Sequence, residues 1–440
     1  MSALSSFRRR LMAGSYPKEQ PNYLCFTALE DGTFTLTIPG GVGTTDLQEI
    51  SYSTDNGSTW VTTANSSSAV TITTPTINAG DSVLWKGKGR RVSNNTYANN
   101  RSKFSSTGKF DVSGILVSLI FDDFSEDSTI SQQHAFSGLF QQSQVVNADR
   151  LIFPTNITDH CYRNTFDGCT YLVNASFEIE SNAFGQYCCY YMFNNCASLK
   201  NAPKIVCTSG SFGNSSMERF AYNCVNLDNI DEFNAVSVGS RGFYQAFCKC
   251  SKLVNAPMKS NGLSLTTYSL AYMYDECSLL ADTNLFSITS MGSYGCCTYM
   301  FRNCTSLINV RFVLPMTSIT ATDYYSYMLY GCSSLLSSPV LPCLALTQSA
   351  YSNMFMNCTS LNYIKMYATD ISGNYCLSNW VNGVQTNSGV FVKHIDATWT
   401  TTGNSGVPTN WTVIYYDPAI DKYYLDQQRS QECDDHGNPI

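Results

Sequence analysis

Eight cysteines, Cys169, Cys196, Cys224, Cys250, Cys277, Cys304, Cys332 and Cys358, recur at intervals of 27, 28, 26, 27, 27, 28 and 26 residues. Thiols can cross-link, hold a metal or pack as small hydrophobes. Equivalent side chains in stacked repeats point in parallel, so disulfides between neighbours are disfavoured even where the Cα spacing would allow them. Zinc ligands come in pairs such as Cys-x2-Cys with histidine nearby. Here the tightest groupings are Cys188-Cys189, Cys296-Cys297 and Cys248-Lys249-Cys250. Free thiols buried as small apolar groups are therefore expected, with neither metal nor cofactor. The odd total of 19 cysteines agrees, since an oxidising compartment favours pairing.

Other residue types that carry chemistry are scattered. The four histidines, His134, His160, His394 and His436, form no catalytic constellation, and the chain is read as non-enzymatic. Ser53-Thr-Asp55-Asn-Gly57-Ser-Thr59-Trp60 resembles the Asp-box of sialidases and other propellers, a likeness that implies an aspartate bracing a turn. Lys86-Gly-Lys88-Gly-Arg90-Arg91 lacks the following helix that a phosphate loop needs and reads as a hairpin tip. Asp122-Asp123, Glu126-Asp127 and Asp434-Asp435 read as solvated acidic loops, although oxygen ligands of this kind can hold a divalent cation. Tyrosine is over-used, with 28 copies, many just upstream of the repeating cysteine. Tyr191, Tyr272, Tyr299 and Tyr327 are candidates for a recognition surface, because aromatic rings stack on sugars and suit binding faces. Packing along the flank of each repeat is the competing reading.

The elements that position these residues follow from the repeat. Leucine stands three residues after every one of the eight cysteines, from Leu172 to Leu361. The consensus is Tyr-Met-Phe-x-Asn-Cys-x-Ser-Leu-x-Asn-Ala-Pro. Apolar residues three and four apart in Met-Phe-x-x-Cys-x-x-Leu predict a short helical turn, and the following small or β-branched residues predict a short parallel strand and a corner. A fixed period of this size marks a solenoid whose repeats pack on their neighbours. Residues at cysteine plus seven vary, and Asp231, Asn284, Arg311 and Lys365 among them are further candidates for a recognition surface.

This signature resembles the BspA-type leucine-rich repeat, and it is matched through most of residues 161 to 367. The resemblance implies an α/β solenoid with a helical turn and a strand per repeat. It extends to degenerate capping repeats, one running from His134 to Ala148 with Ser143 in place of cysteine, the other from Asn379 to Val413. Proteins with such arrays include bacterial surface adhesins and virion or fibre proteins of phages of Bacteroidales, the crAss-like group among them.

Residues 21–112 read as a small all-β, Ig-like sandwich. Six runs of β-formers, beginning at Tyr23, Thr33, Ile50, Thr59, Val70 and Ser82, are separated by Asp-Gly, Pro-Gly-Gly, Asn-Gly and Ala-Gly-Asp turns. The solenoid with its caps is assigned to 113–416, an acidic tail to 417–440 and a basic segment to 1–20. Residues 1–110 hold 11 Lys and Arg against 7 Asp and Glu, net +4, which leaves −11 for the remainder. The basic segment, with Phe7, Arg8, Arg9 and Arg10, has no apolar core of a secretion signal, and no run reaches the ~18 apolar residues of a membrane span. Together with these observations, the resemblance implies a phage structural protein, a fibre, decoration or host-attachment component assembled in the host cytoplasm. Its basic segment and β domain would hold other virion proteins, and its solenoid would hold a bacterial surface glycan or protein. A homo-oligomer is possible, and no nucleic-acid partner is expected. The alternative is an exported adhesin on the bacterial surface.

Overall fold

The computed structural model describes residues 23–39, 47–64, 69–89, 92, 101–121, 130, 132–155, 157–284, 286–315 and 322–440. The basic segment with Phe7 to Arg10, and the acidic pairs at 122–123 and 126–127, lie outside the described residues. The chain divides into two compact units, residues 1–209 and 210–440.

The first unit opens with β1 (Leu24–Ala28), β2 (Phe34–Ile38), β3 (Leu47–Ser53), β4 (Val61–Ala64), β5 (Val70–Thr73), β6 (Ser82–Gly89), β7 (Lys103–Ser106) and β8 (Phe110–Ile115). All six runs read as strands from their β-formers are strands. They form two sheets, β4-β3-β6-β1-β8 and β5-β2-β7. Phe26 of β1 meets Phe34 of β2 at 5.4 Å and Phe104 of β7 at 4.8 Å between ring centroids, so these rings form the core between the sheets. Strand β9 (Val145–Ile152) belongs to the degenerate first repeat and pairs in parallel with β8. Phe140 of that repeat stacks on Phe104 at 5.9 Å. The sandwich thus closes the open edge that the first repeat would otherwise expose. Strands β10 (Glu178–Phe184) and β11 (Lys204–Phe212) follow, the latter ending in the second unit.

The second unit contains β12 (Phe233–Asn234), β13 (Ser237–Val238), β14 (Met258–Leu265), β15 (Phe286–Ser290) and β16 (Phe312–Val313), then β17 (Tyr363–Met366), β18 (Val390–His394), β19 (Thr412–Asp417), β20 (Lys422–Tyr424) and β21 (Glu432–Cys433). Pairing is parallel from β13 through β14 and β15 to β16, and from β17 through β18 to β19. It turns antiparallel at β20 and β21, so residues assigned to a tail cover the outer edge of β19. The closing segment is pinned by indole donors: Trp380 Nε1 to the Gly406 carbonyl (2.9 Å), Trp399 to Ala368 (2.8 Å) and Trp411 to Gln385 (2.9 Å).

The expected helical turn is absent among the described residues, and the α/β assignment is corrected to a β-solenoid of about nine turns with no α-helix among those residues. Each repeat carries instead a ribbon of tandem β-turns. In the first repeat the N–H groups of Ser137, Leu139, Gln141 and Ser143 donate to the carbonyls three residues back, at His134, Phe136, Gly138 and Phe140. The intervening donors, Phe136, Gly138, Phe140 and Gln142, reach the next repeat at Cys161, Arg163, Thr165 and Asp167, at 2.8 to 3.0 Å. An α-helix would spend all these donors within itself on i−4 carbonyls. The ribbon closes by placing every fourth residue in the left-handed region, for example Tyr187, Tyr191 and Asn195 with φ of 54°, 57° and 59°. A period of four and one of 3.6 cannot be told apart over eight residues.

Candidate functional site

Pairs of apolar residues in each turn ribbon are buried, and most left-handed residues are partly or fully exposed, His134, Asn164 and Ser215 being buried. The repeating cysteines and their partner leucines are buried. Seven of the thiols donate to the carbonyl three residues before the preceding cysteine position. Cys169 reaches Phe140, Cys196 Phe166, Cys250 Ala221, Cys277 Phe247, Cys304 Tyr274, Cys332 Phe301 and Cys358 Leu329, all at 2.9 to 3.1 Å. Ser143, standing where the first repeat lacks cysteine, lies 3.6 Å from the Cys169 sulfur. All nineteen cysteines are thiols, and only Cys207 is not buried. Burial pushes the Cys169 and Cys358 thiols up to about 12.

Beside the cysteines runs an amide chain absent from the sequence-based site reading. Asn201 Nδ2 donates to Asn174 Oδ1 (2.7 Å), Asn174 to Asn147 (2.8 Å) and Asn147 to the Asp111 carboxylate (2.8 Å). Each amide polarises the next, and the carboxylate anchors the acceptor end. The consensus asparagine at cysteine plus five was its visible signal.

The candidate tyrosines occupy the left-handed middle position of the ribbon, with φ of 57° at Tyr191, 57° at Tyr272, 58° at Tyr299 and 56° at Tyr327. Because the repeats are in register, these side chains leave the backbone in parallel. Tyr272 and Tyr299 stack at 4.5 Å and 8°, and Tyr299 and Tyr327 at 4.6 Å and 12°. Tyr244 meets Tyr272 edge-on at 5.6 Å. In the first unit Tyr191 stacks on Tyr190 at 4.1 Å. Arg302 lies 5.2 Å from the Tyr299 ring and forms two 2.7 Å hydrogen bonds to the buried Asp275. Burial and the neighbouring ring push the Tyr272 hydroxyl up to about 12. Both faces of Tyr299 are therefore taken by its neighbours, and a sugar cannot stack there.

The cysteine-plus-seven positions do not form one free surface. Asp231 is exposed, Asn284 donates to the Ala256 carbonyl (2.6 Å), and Arg311 pairs with Asp282 (2.8 Å). Lys365 is enclosed by aromatics, 4.1 Å from the Tyr416 centroid and 4.9 Å from that of Tyr423, and donates to the Tyr423 hydroxyl (2.6 Å).

The Asp-box hairpin is a braced turn. The Asp55 carboxylate accepts the Thr59 hydroxyl (2.6 Å) and N–H (2.8 Å) and the Ser53 hydroxyl (2.7 Å), and these donors hold its pKa at about 2. Asp434, Asp435 and His436 are the one group among the described residues whose three potential metal-binding atoms lie within 4.8 Å of one another. Asp434 there already accepts from the Asn438 N–H and amide and the His436 N–H.

Fold and surface together define a β-solenoid that presents repeated side-chain columns. No protein-family model matches the chain, and no curated protein or solved structure does. No helix among the described residues is long and apolar enough to cross a membrane.

Proposed function

We propose that the chain is a non-enzymatic structural protein of bacteriophage particles, a fibre, decoration or host-attachment component whose solenoid is its recognition surface. The observation that carries this reading is the thiol column. Seven buried thiols hold backbone carbonyls as hydrogen-bond donors, a role each would lose on oxidation. Such a column suits folding in a reducing cytosol, where virions assemble. Under this reading the basic N-terminal segment and the sandwich dock on other virion proteins, and the solenoid meets a glycan or protein of the bacterial surface. The likeness to BspA-type arrays is kept as a proposal that rests on the Met-Phe-x-x-Cys-x-x-Leu signature.

A surface adhesin is the second reading, favoured by the outward-facing columns of variable residues. It would hold the same thiols in an oxidising space. Quantitative proteomics of purified phage particles and of host envelope fractions separates the two. The chain is expected at fixed stoichiometry with capsid or tail proteins, and enrichment in envelopes alone would overturn the virion reading.

A further inference from the structure

The left-handed position that opens each turn ribbon forms a second outward column, and in the second unit it differs from the stacked tyrosines beside it. Ser215, Arg241, Tyr268, Gly295, Asp323, Ser349 and Tyr375 occupy it, with φ of 49°, 56°, 52°, 51°, 60°, 54° and 57°. The register is continuous. The N–H groups of Tyr268, Gly295, Asp323 and Ser349 donate to the carbonyls of Tyr294, Thr322, Gln348 and Asn374, each the residue before the next member of the column.

Tyr268 and Tyr375 are 41% and 73% exposed, far more than the stacked rings require. Neither ring stacks on another among the described residues. The Tyr268 ring lies across the next repeat, since a Cβ at Gly295 would fall 2.7 Å from Tyr268 Cδ1. The ring therefore covers Gly295, which has no side chain to displace it, and still leaves 41% of the residue exposed. Beyond it stands Asp323, whose carboxylate accepts no hydrogen bond from the described residues, and then Ser349. At about 4.8 Å per repeat, the two tyrosines are roughly 19 Å apart across a floor of glycine, aspartate and serine.

From this arrangement we infer that the column is a binding track for a neutral, linear oligosaccharide. The inference rests on the recognition role proposed above and names its ligand. The C–H faces of terminal sugar rings stack on Tyr268 and Tyr375, and intervening hydroxyls donate to Asp323 and exchange hydrogen bonds with Ser349. The unpaired carboxylate disfavours uronic or sialic acids, whose charge it would repel.

The test is titration of the full chain with linear hexasaccharides of glucose, mannose and N-acetylglucosamine, and with oligouronates as the charged counterpart. Asparagine is the replacement that best tolerates the left-handed backbone. At least one neutral hexasaccharide is expected to bind, and Tyr268→Asn and Tyr375→Asn are each expected to weaken it about tenfold. Asp323→Asn should narrow the preference for neutral over charged ligands. Absence of binding to every neutral hexasaccharide, preference for oligouronates, or unchanged affinity in both tyrosine variants would overturn the track. The virion reading would survive any of these results, because particle association decides it separately.

Discussion

A thiol donating to a buried carbonyl is a modest bond repeated many times. Cys304→Ala removes the donor to the Tyr274 carbonyl and leaves a small void, at a cost of about 1 to 2 kcal/mol. Cys304→Ser retains a donor and is expected to lose less, which chemical denaturation midpoints would show. Alkaline pH acts on the whole column. The folded thiols of Cys169 and Cys358 are raised from the ordinary 9.0 to about 12, so the folded state holds protons that the unfolded chain gives up. Stability should be level below pH 9 and fall progressively from there toward about 12, as thermal melts across that range would record. A melt that strengthened above pH 9 would contradict this. Among all the cysteines, Cys207 should react first with an alkylating agent under native conditions, since the rest are buried.

The turn ribbon makes a demand on sequence opposite to that of a helix. At Asn303, with φ of 58°, glycine is expected to be tolerated, whereas valine should destabilise by about 1 to 3 kcal/mol because a β-branched residue resists the left-handed region. A helical turn would rank the two the other way. Denaturant unfolding of the two variants therefore distinguishes the elements, and circular dichroism should lack the double minimum of α-helix. The period, the buried cysteine and leucine columns and the six sandwich strands were legible in the sequence, because burial alternation and turn residues mark them directly. The ribbon was not. Its left-handed positions hold Tyr, His, Arg and Glu as readily as Asn or Gly, at Tyr272, His160, Arg219 and Glu276 for instance, so no single residue type announces them. The sequence left these tyrosines between a recognition surface and packing along the repeat flank, because stacking of the rings on one another, which decides what they can bind, depends on register between repeats. Tyr268 and Tyr375 escaped notice because their column has no consensus, its neighbours being Gly295, Asp323 and Ser349.

At the scale of the molecule, a solenoid must hide its end strands. In the first unit β8 of the sandwich does this for β9, and in the second β20 and β21 do it for β19, where Arg429 makes two hydrogen bonds to Asp417 (2.8 and 2.6 Å). A chain ending at Asp417 should expose the β19 edge and self-associate, read by light scattering; a monomer of unchanged stability would show that the closing hairpin protects nothing. Neither cap was evident in composition, since residues 417–440 read as an acidic tail and the sandwich as a separate module. Under the proposed virion role, capped ends and outward columns suit an element displayed on a particle. Immunogold electron microscopy of purified phage and of host envelopes, with an antibody against residues 210–440, tests that placement most directly. Label is expected at defined sites on the particles, and label confined to the bacterial surface would contradict the virion role.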